Sequence, residues 1–414
     1  MTALHISKPL RLPCGLEIQN RITKAALAER WADKHHLPSP DQVRAYGSWA
    51  EGGWGMLITG NVLVDVEHLG HFADTATNDR ISENELLLSW KEWAKVGSRN
   101  GTHLIMQLNH PGRQSPIGAG TRGYFSKSIA PSAIGVDLGG SPASRVLGSI
   151  IFGTPREMTT EDIQHVIERF VSATRSAVEA GFSGVQIHAA HGYLLSQFLS
   201  PLSNVRADIY GGSAKNRVRI IVEILQAVRR VVPSGFCVGL KLNSVDHQST
   251  SELSDCLEQL TEIDAAGIDF LEISGGTYED PSMLLGNDKS VSEKSVKTAL
   301  REGFFLEFAR AIRQRFEHIP LMVTGGFRSR RAMEAALERN HCDMIGLGRP
   351  SIINSSLPKD VLINHNIRDE DACVSVTPVP VPWILRKTIG GSALVAGAET
   401  RCVDEAMTTQ ESVQ

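Results

Sequence analysis

This 414-residue chain is short of cysteine, of aromatic residues, of charge of either sign and of long apolar runs, and each shortage excludes something. Lys and Arg (42) nearly balance Asp and Glu (46), for a net charge of -4, so no electrostatic case exists for nucleic-acid or membrane partners. No apolar run approaches the roughly 20 residues that a membrane span needs. Met1 to Leu10 lacks the charged start and apolar core of a signal peptide, and the closing Ser-Val-Gln is no peroxisomal address. The six cysteines (Cys14, Cys237, Cys256, Cys342, Cys373 and Cys402) show no CxxC spacing, which points to a reduced, cytoplasmic protein. Cys237 and Cys256 lie in apolar surroundings and read as core fillers. What remains, 42% hydrophobic and 21% charged, describes a globular chain with a large core.

Short apolar segments recur, each followed by a turn and then a helical pattern: Ile22 to Leu27, Gly55 to Thr59, His103 to Leu108, Gly184 to His188, Cys237 to Leu242, Phe270 to Ser274, Leu321 to Thr324 and Met344 to Leu347. Eight strands alternating with helices predict a single (β/α)8 TIM barrel of the α/β class, over about residues 20–355. Strands buried on both faces read as continuous apolar runs, as most of these do. An open doubly wound sheet is the alternative, but it leaves the eighth unit without a place. Leu10 to Asn20 reads as an N-terminal hairpin around Pro13-Cys14-Gly15, a plug for the barrel floor. Thr159-Thr160-Glu161-Asp162 opens a long amphipathic helix. The Gly-, Ser- and Pro-rich stretch of about 109–158 is too long for a plain loop and predicts a capping insertion after the third strand. About 356–414 forms a C-terminal extension, in which Pro380 to Trp383 is a docking candidate.

Chemistry-bearing residues fall at the C-terminal ends of these strands: Ala28, Asn61, Gln107, His188, Lys241, Gly325 with Gly326, and Gly348 with Arg349. That is where barrel enzymes keep their sites. His188, His191 and Tyr193 leave one strand together. Paired imidazoles can hold a carbonyl or phenolate oxygen while a phenol transfers a proton. Zinc is the competing reading of two histidines three apart, but no HExxH and no third ligand accompany them. The two glycine pairs can cradle a phosphate with Arg349 as a charged fork, or simply turn the chain. Lys241 in a barrel mouth requires an anionic partner unless it snorkels to solvent. Gln107 offers donor and acceptor to a heterocycle, or satisfies a polar core. Asn204, Arg206, Asp208, Tyr210, Asn216 and Arg217 read as loop-fixing residues, and nothing at triad spacing supports Ser203 or Asp208 as a nucleophile. Glu83 to Glu85 and Arg328 to Arg331 read as solvated helix faces.

Together, LRLPCGLEIQNRITKAAL, MQLNHPGRQ, IHAAHGYLLSQFLSPLSNVRADIYGGSAKNRVR, VTGGF and IGLGRP resemble the old yellow enzyme family of FMN-dependent ene-reductases, from about Pro9 to Ile352. The resemblance implies FMN at the top of the barrel. Ala25, Ala26, Leu27 and Ala28 would line its ring, and Asn61 and Gln107 would sit at the polar edge. Lys241 would stand where relatives usually carry an arginine, beside the pyrimidine end, stabilising the anionic reduced flavin. Gly325, Gly326, Gly348 and Arg349 would hold the phosphate. His188 and His191 would grip a substrate carbonyl oxygen, with Tyr193 as proton donor. NADH or NADPH would be the co-substrate and an enone or related alkene the substrate; a homo-oligomer is left open. An FMN-dependent isomerase or desaturase on the same scaffold is the alternative. Ala28 replaces a threonine or cysteine of many relatives, and Asn109 replaces a bulky aromatic, which implies a roomier pocket. Only Cys373 and Cys402 follow the barrel, so the iron–sulfur cluster of larger relatives is not expected.

Overall fold

A small antiparallel hairpin precedes the barrel. β1 (Leu10–Arg11) pairs with β2 (Glu17–Ile18), and Gly15, at φ +92°, makes the turn that a side chain would strain. Its Leu12 and Ile18 are buried in one cluster with Met56, Ile58, Ile105, Cys237, Phe270, Met322 and Met344, so the hairpin packs against residues toward the N-terminal ends of the barrel strands. The computed structural model describes residues 3–138, 142–244, 250–274 and 308–374. Pro380 to Trp383 lies outside them.

The strands that follow are β3 (Ile22–Lys24), β4 (Met56–Leu63), β5 (Thr75–Ala76), β6 (His103–Asn109), β7 (Ile129–Ala130), β8 (Arg156–Glu157), β9 (Gly184–Ala189), β10 (Cys237–Asn243), β11 (Phe270–Ser274), β12 (Leu321–Thr324) and β13 (Met344–Leu347). All neighbours in the main sheet are parallel, in the order β3-β13-β12-β11-β10-β9-β6-β4, and a β3–β4 pairing closes the ring. Short β5 extends β4 outside the eight. Every residue of β9, β10 and β11 is buried, as strands enclosed by side chains within and helices without must be.

Local chemistry sets the elements that carry the site. Thr159 and Asp162 form a reciprocal capping box at the start of the Thr160–Ala180 helix, and Gly181, at φ +88°, ends it directly before β9. The first barrel strand is shorter than its apolar run: the ladder stops after Ala25 donates to the Leu347 carbonyl at 3.0 Å. Beyond it, Leu27 to Glu29 lie against β4 at Gly60. There an added Cβ would come within 1.9 Å of Glu29 Oε2 and 2.2 Å of the Leu27 carbonyl.

The insertion contributes the parallel pair β7–β8 and the helix Pro142–Phe152. Buried Arg206 fastens it to the segment after the histidines, donating to the carbonyls of Pro131 (3.0 Å) and Met158 (2.6 Å). Asn204 bridges the carbonyls of Phe198 and Tyr210, both at 2.8 Å. Ser203 donates to the Gln197 carbonyl and Asp208 accepts from Arg206, so both hold the loop together.

Candidate active site

The cleft at the C-terminal ends of the strands gathers most of the residues singled out above: Ala26, Leu27, Ala28, Asn61, Gln107, His188, His191, Tyr193, Lys241, Gly325, Gly326, Gly348 and Arg349. Ala25, just before this lining, is fully buried in the barrel wall, its amide donating to the Leu347 carbonyl. Asn109, at the end of β6, is 1% exposed, and both polar atoms of its side chain are buried without a hydrogen-bond partner among the described residues. The sequence reading missed Ser274, Phe327 and Arg328, which also line the cleft. Only their strand-end positions could have indicated them.

One wall is built by the exit of β9. His188 ends the buried run, then His191 (φ +60°) and Gly192 (φ +72°) turn the chain sharply, bringing Tyr193 back beside them. The His188 ring meets His191 edge to face at a 4.9 Å centroid distance and meets Tyr193 at 5.0 Å. The Ala190 amide donates to His188 Nδ1 at 3.2 Å. The ring proton of neutral His188 therefore sits on Nε2, leaving that nitrogen as a fixed donor. Burial, then the neighbouring His191 and Lys241, holds His188 well below the usual imidazole range; burial and Lys241 do the same to His191. Both rings are thus uncharged donors near neutral pH. His191 Nε2 lies 3.2 Å from Ser274 Oγ, and Asn61 Nδ2 donates to Tyr193 Oη at 3.4 Å. The turn itself is pinned by Gln197, which donates to the carbonyls of Gly192 (2.7 Å) and Pro111 (3.1 Å), and by Gln114, which donates to the His191 carbonyl at 3.1 Å.

The polar side of the cleft is a chain across four strands. Gln107 Nε2 donates to Gln186 Oε1 (2.6 Å), and Gln186 Nε2 donates to Glu272 Oε2 (2.8 Å). Glu272 Oε1 pairs with Lys241 Nζ at 2.9 Å. Lys241 thus has the anionic partner that its position demands, contributed by the neighbouring strand.

The opposite end is glycine-lined. Gly325 and Gly326 have φ of +120° and +85°, conformations costly for any side chain. An added Cβ on Gly346 would fall 2.0 Å from Thr324 Oγ1, and one on Gly348 would press on Leu27 at 3.3 Å. Arg328 and Arg349 supply the charge at this end. The expectation that Arg328 to Arg331 form a solvated helix face holds for exposed Arg331 and fails for Arg328 and Arg330. Arg328 lines the cleft, and Arg330 is 2% exposed because its guanidinium holds the 361–369 segment. The partners that bury it lie more than thirty residues away, beyond the reach of local pattern.

These residues fit FMN. Asn61 Oδ1 and Thr324 Oγ1 are buried in the cleft wall without a partner among the described residues, which calls for a ligand with polar groups along its length. Glycines and guanidiniums at one end suit a phosphate, and the amide and ammonium on the polar side suit a heterocycle edge.

Among the described residues, no helix is long and apolar enough to cross a membrane. Residues 5–370 match the family described as NADH:flavin oxidoreductase / NADH oxidase. The NADH-dependent flavin oxidoreductase iccE of Talaromyces variabilis is 49% identical over 396 residues, covering 95% of each chain. The NADH-dependent flavin oxidoreductase iliE of Hypocrea jecorina is 44% identical over 94% of this chain and 96% of its own. The old yellow enzyme from Trypanosoma cruzi superposes with a TM-score of 0.70 at 19% identity, over 89% of this chain and 93% of that one, which speaks for the fold. With a closed parallel barrel, a cleft fit for FMN and these relatives, the chain belongs to the NADH:flavin oxidoreductase / NADH oxidase family, oxidoreductases that work with FMN and NADH or NADPH.

Proposed function

We propose that this protein reduces the carbon–carbon double bond of an α,β-unsaturated carbonyl compound, a small-molecule enone, enal or related alkene. One observation carries the reading: two uncharged imidazoles and a phenol share one wall of the cleft, with ring centroids 4.9 and 5.0 Å apart.

Gly325, Gly326, Gly348 and Arg349 would hold the FMN phosphate. Ala26, Leu27 and Ala28 would border the ring, with Asn61, Gln107 and Lys241 at its polar edge. When bound, FMN supplies the hydride that it has taken from NADH or NADPH. The chain's own groups prepare the alkene for it. His188 Nε2 and the His191 ring donate to the substrate's carbonyl oxygen, drawing electron density from the β-carbon and stabilising the enolate that forms. Because both rings start neutral, they give hydrogen bonds without delivering a proton to that oxygen. Tyr193 Oη then gives its proton to the α-carbon from the face opposite the hydride, with Asn61 Nδ2 steadying the phenolic oxygen it leaves. Each oxygen donor contributes about 3 kcal/mol of barrier lowering.

The Tyr193→Phe variant is the test. General-acid catalysis of this kind is worth roughly 10²- to 10⁴-fold, and the alkene half-reaction falls by that much while FMN reduction by NADH or NADPH persists. Unchanged alkene turnover removes Tyr193 from the mechanism. The same uncharged set would also serve a redox-neutral isomerisation. Anaerobic single turnover separates the two, because an isomerase leaves the reducing equivalents unspent and a reductase consumes them.

A further inference from the structure

Glu272 is the most deeply buried charge on the polar side of the cleft, yet it lines no part of it. It lies on β11 beside Lys241 of β10, in register, with 0% of its surface exposed against 2% for the lysine. Its two oxygens do different things: Oε1 pairs with Lys241 Nζ at 2.9 Å, and Oε2 accepts from Gln186 Nε2 at 2.8 Å. A carboxylate can only accept. Gln186 must therefore turn its NH2 toward Glu272 and its Oε1 toward Gln107, whose Nε2 donates to it at 2.6 Å. Gln107 Oε1 is then the atom left to accept from a ligand in the cleft. The carboxylate on β11 so decides which end of an amide is offered on β6, three strands away, through a side chain that would otherwise be free to flip.

We propose that Glu272 is a positioning residue: it orients the Gln107 amide to accept from the imide N–H of the flavin, and by pairing with Lys241 it lowers the reduction potential of bound FMN. The first effect follows from the donor order of the relay. The second follows from charge. Two-electron reduction adds negative charge to the pyrimidine end of the ring, which a lone buried ammonium would favour strongly. Here the ammonium is paired, so the net field at the ring edge is close to neutral and reduced FMN is favoured less. This reading rests on FMN lying in the cleft with its polar edge toward Gln107 and Lys241.

FMN-loaded wild type, Glu272→Gln, Glu272→Asp and the doubly neutral Lys241→Met/Glu272→Met protein would be equilibrated with reference dyes to read the two-electron midpoint potential. Titration of each apoprotein with oxidised FMN gives the affinity. E272Q raises the preference for reduced over oxidised FMN about tenfold, or about 30 mV for a two-electron couple. E272D, which keeps the charge, returns most of that shift, and the doubly neutral protein returns it as well. E272Q also weakens oxidised FMN several-fold, because Gln107 is no longer held. Should E272Q not fold, Gln186→Leu keeps both charges and cuts the relay: oxidised FMN then binds about tenfold more weakly while the potential stays near wild type. A potential in E272Q equal to or below that of wild type overturns the charge role. An unchanged FMN affinity in Q186L overturns the relay. A wild-type protein that binds no FMN refutes the cleft assignment itself, an outcome distinct from a yellow wild type whose variants do not shift.

Discussion

Replacing His188 with alanine strikes the oxygen-holding wall where its geometry is best defined. The Ala190 amide occupies Nδ1 at 3.2 Å and burial keeps the ring uncharged, so the group removed is one fixed, neutral Nε2–H. A preorganised donor of this kind in a water-poor site is worth about 2.7–4 kcal/mol, or about 10²–10³ in the rate constant. His191 stands 4.9 Å away with Ser274 steadying its Nε2, and it retains hold of the oxygen in the variant. The loss in H188A is accordingly nearer the lower figure. For the same reason the His188→Ala/His191→Ala protein loses less than the product of the two single effects, since the wall acts as a unit. The assay is anaerobic rapid mixing of nicotinamide-reduced protein with a simple enone, following the return of oxidised flavin absorbance. Titration of the oxidised protein with a phenol, read as a long-wavelength charge-transfer band, reports the same contact without turnover. H188A that reoxidises at the wild-type rate and keeps an undiminished phenol band refutes the assignment of the oxygen to this wall.

Two further outcomes concern the scaffold. His110, at the end of β6, is buried with its Nδ1 accepting from Gly112, and burial first, then the His68 charge, lowers its pKa from 6.5 to about 3. The native ring stays neutral while the unfolded chain gains a proton below 6.5, so this stabilisation is whole above that pH and drains as pH falls toward 3. Between pH 6.5 and 4 it amounts to about 3 kcal/mol, at 1.36 kcal/mol per pH unit. His110→Asn flattens the pH dependence by about that amount in urea unfolding at the two pH values; parallel curves for variant and wild type reject it. Arg330→Ala strips the donors from the carbonyls of Val361 (2.6 Å), Leu362 (2.8 Å), Asn364 (2.8 Å) and Ile367 (2.7 Å) and the ion pair to Asp369 (2.9 Å). The cost is on the order of 3 kcal/mol, and limited proteolysis cuts within 358–374 before the barrel; an unaltered cleavage pattern and melting temperature contradict the clamp.

The barrel could be read from the chain because its strands are enclosed on both sides and so consist of unbroken apolar runs, as in Cys237 to Leu242. The errors fall where one residue type carries two meanings. Gly60 reads as the end of the second strand, yet β4 continues to Leu63 with its register slipping between Ile58 and Asn61. A missing side chain there admits Leu27 and Glu29 rather than stopping the strand. Charged residues mislead in the same way. Lys24 is fully buried by Glu29, Tyr46 and the Ile58 carbonyl, and Arg330 by carbonyls thirty residues on. Charge normally signals surface, and only the folded partners reverse that. The histidines and Tyr193 were recoverable because one sharp turn delivers all three. Glu272 was not, since it sits in an apolar run and meets Lys241 only through strand register.

That pairing accounts for how charge is graded along the cleft. At the glycine end, Arg328 and Arg349 place two guanidiniums where a phosphate would lie. Toward the middle, Lys241 is matched by Glu272, so the field at a ring edge there comes from oriented amides more than from net charge. At the histidine wall both imidazoles are neutral, because burial and the nearby lysine make a second cation unfavourable. A donor that is neutral before the reaction gains most from an oxygen that becomes negative during it, whereas a cationic wall would bind a carboxylate or phenolate strongly in the ground state. Burial therefore sets the charge state of the histidine wall first, and Lys241, on the polar side of the same cleft, reinforces it.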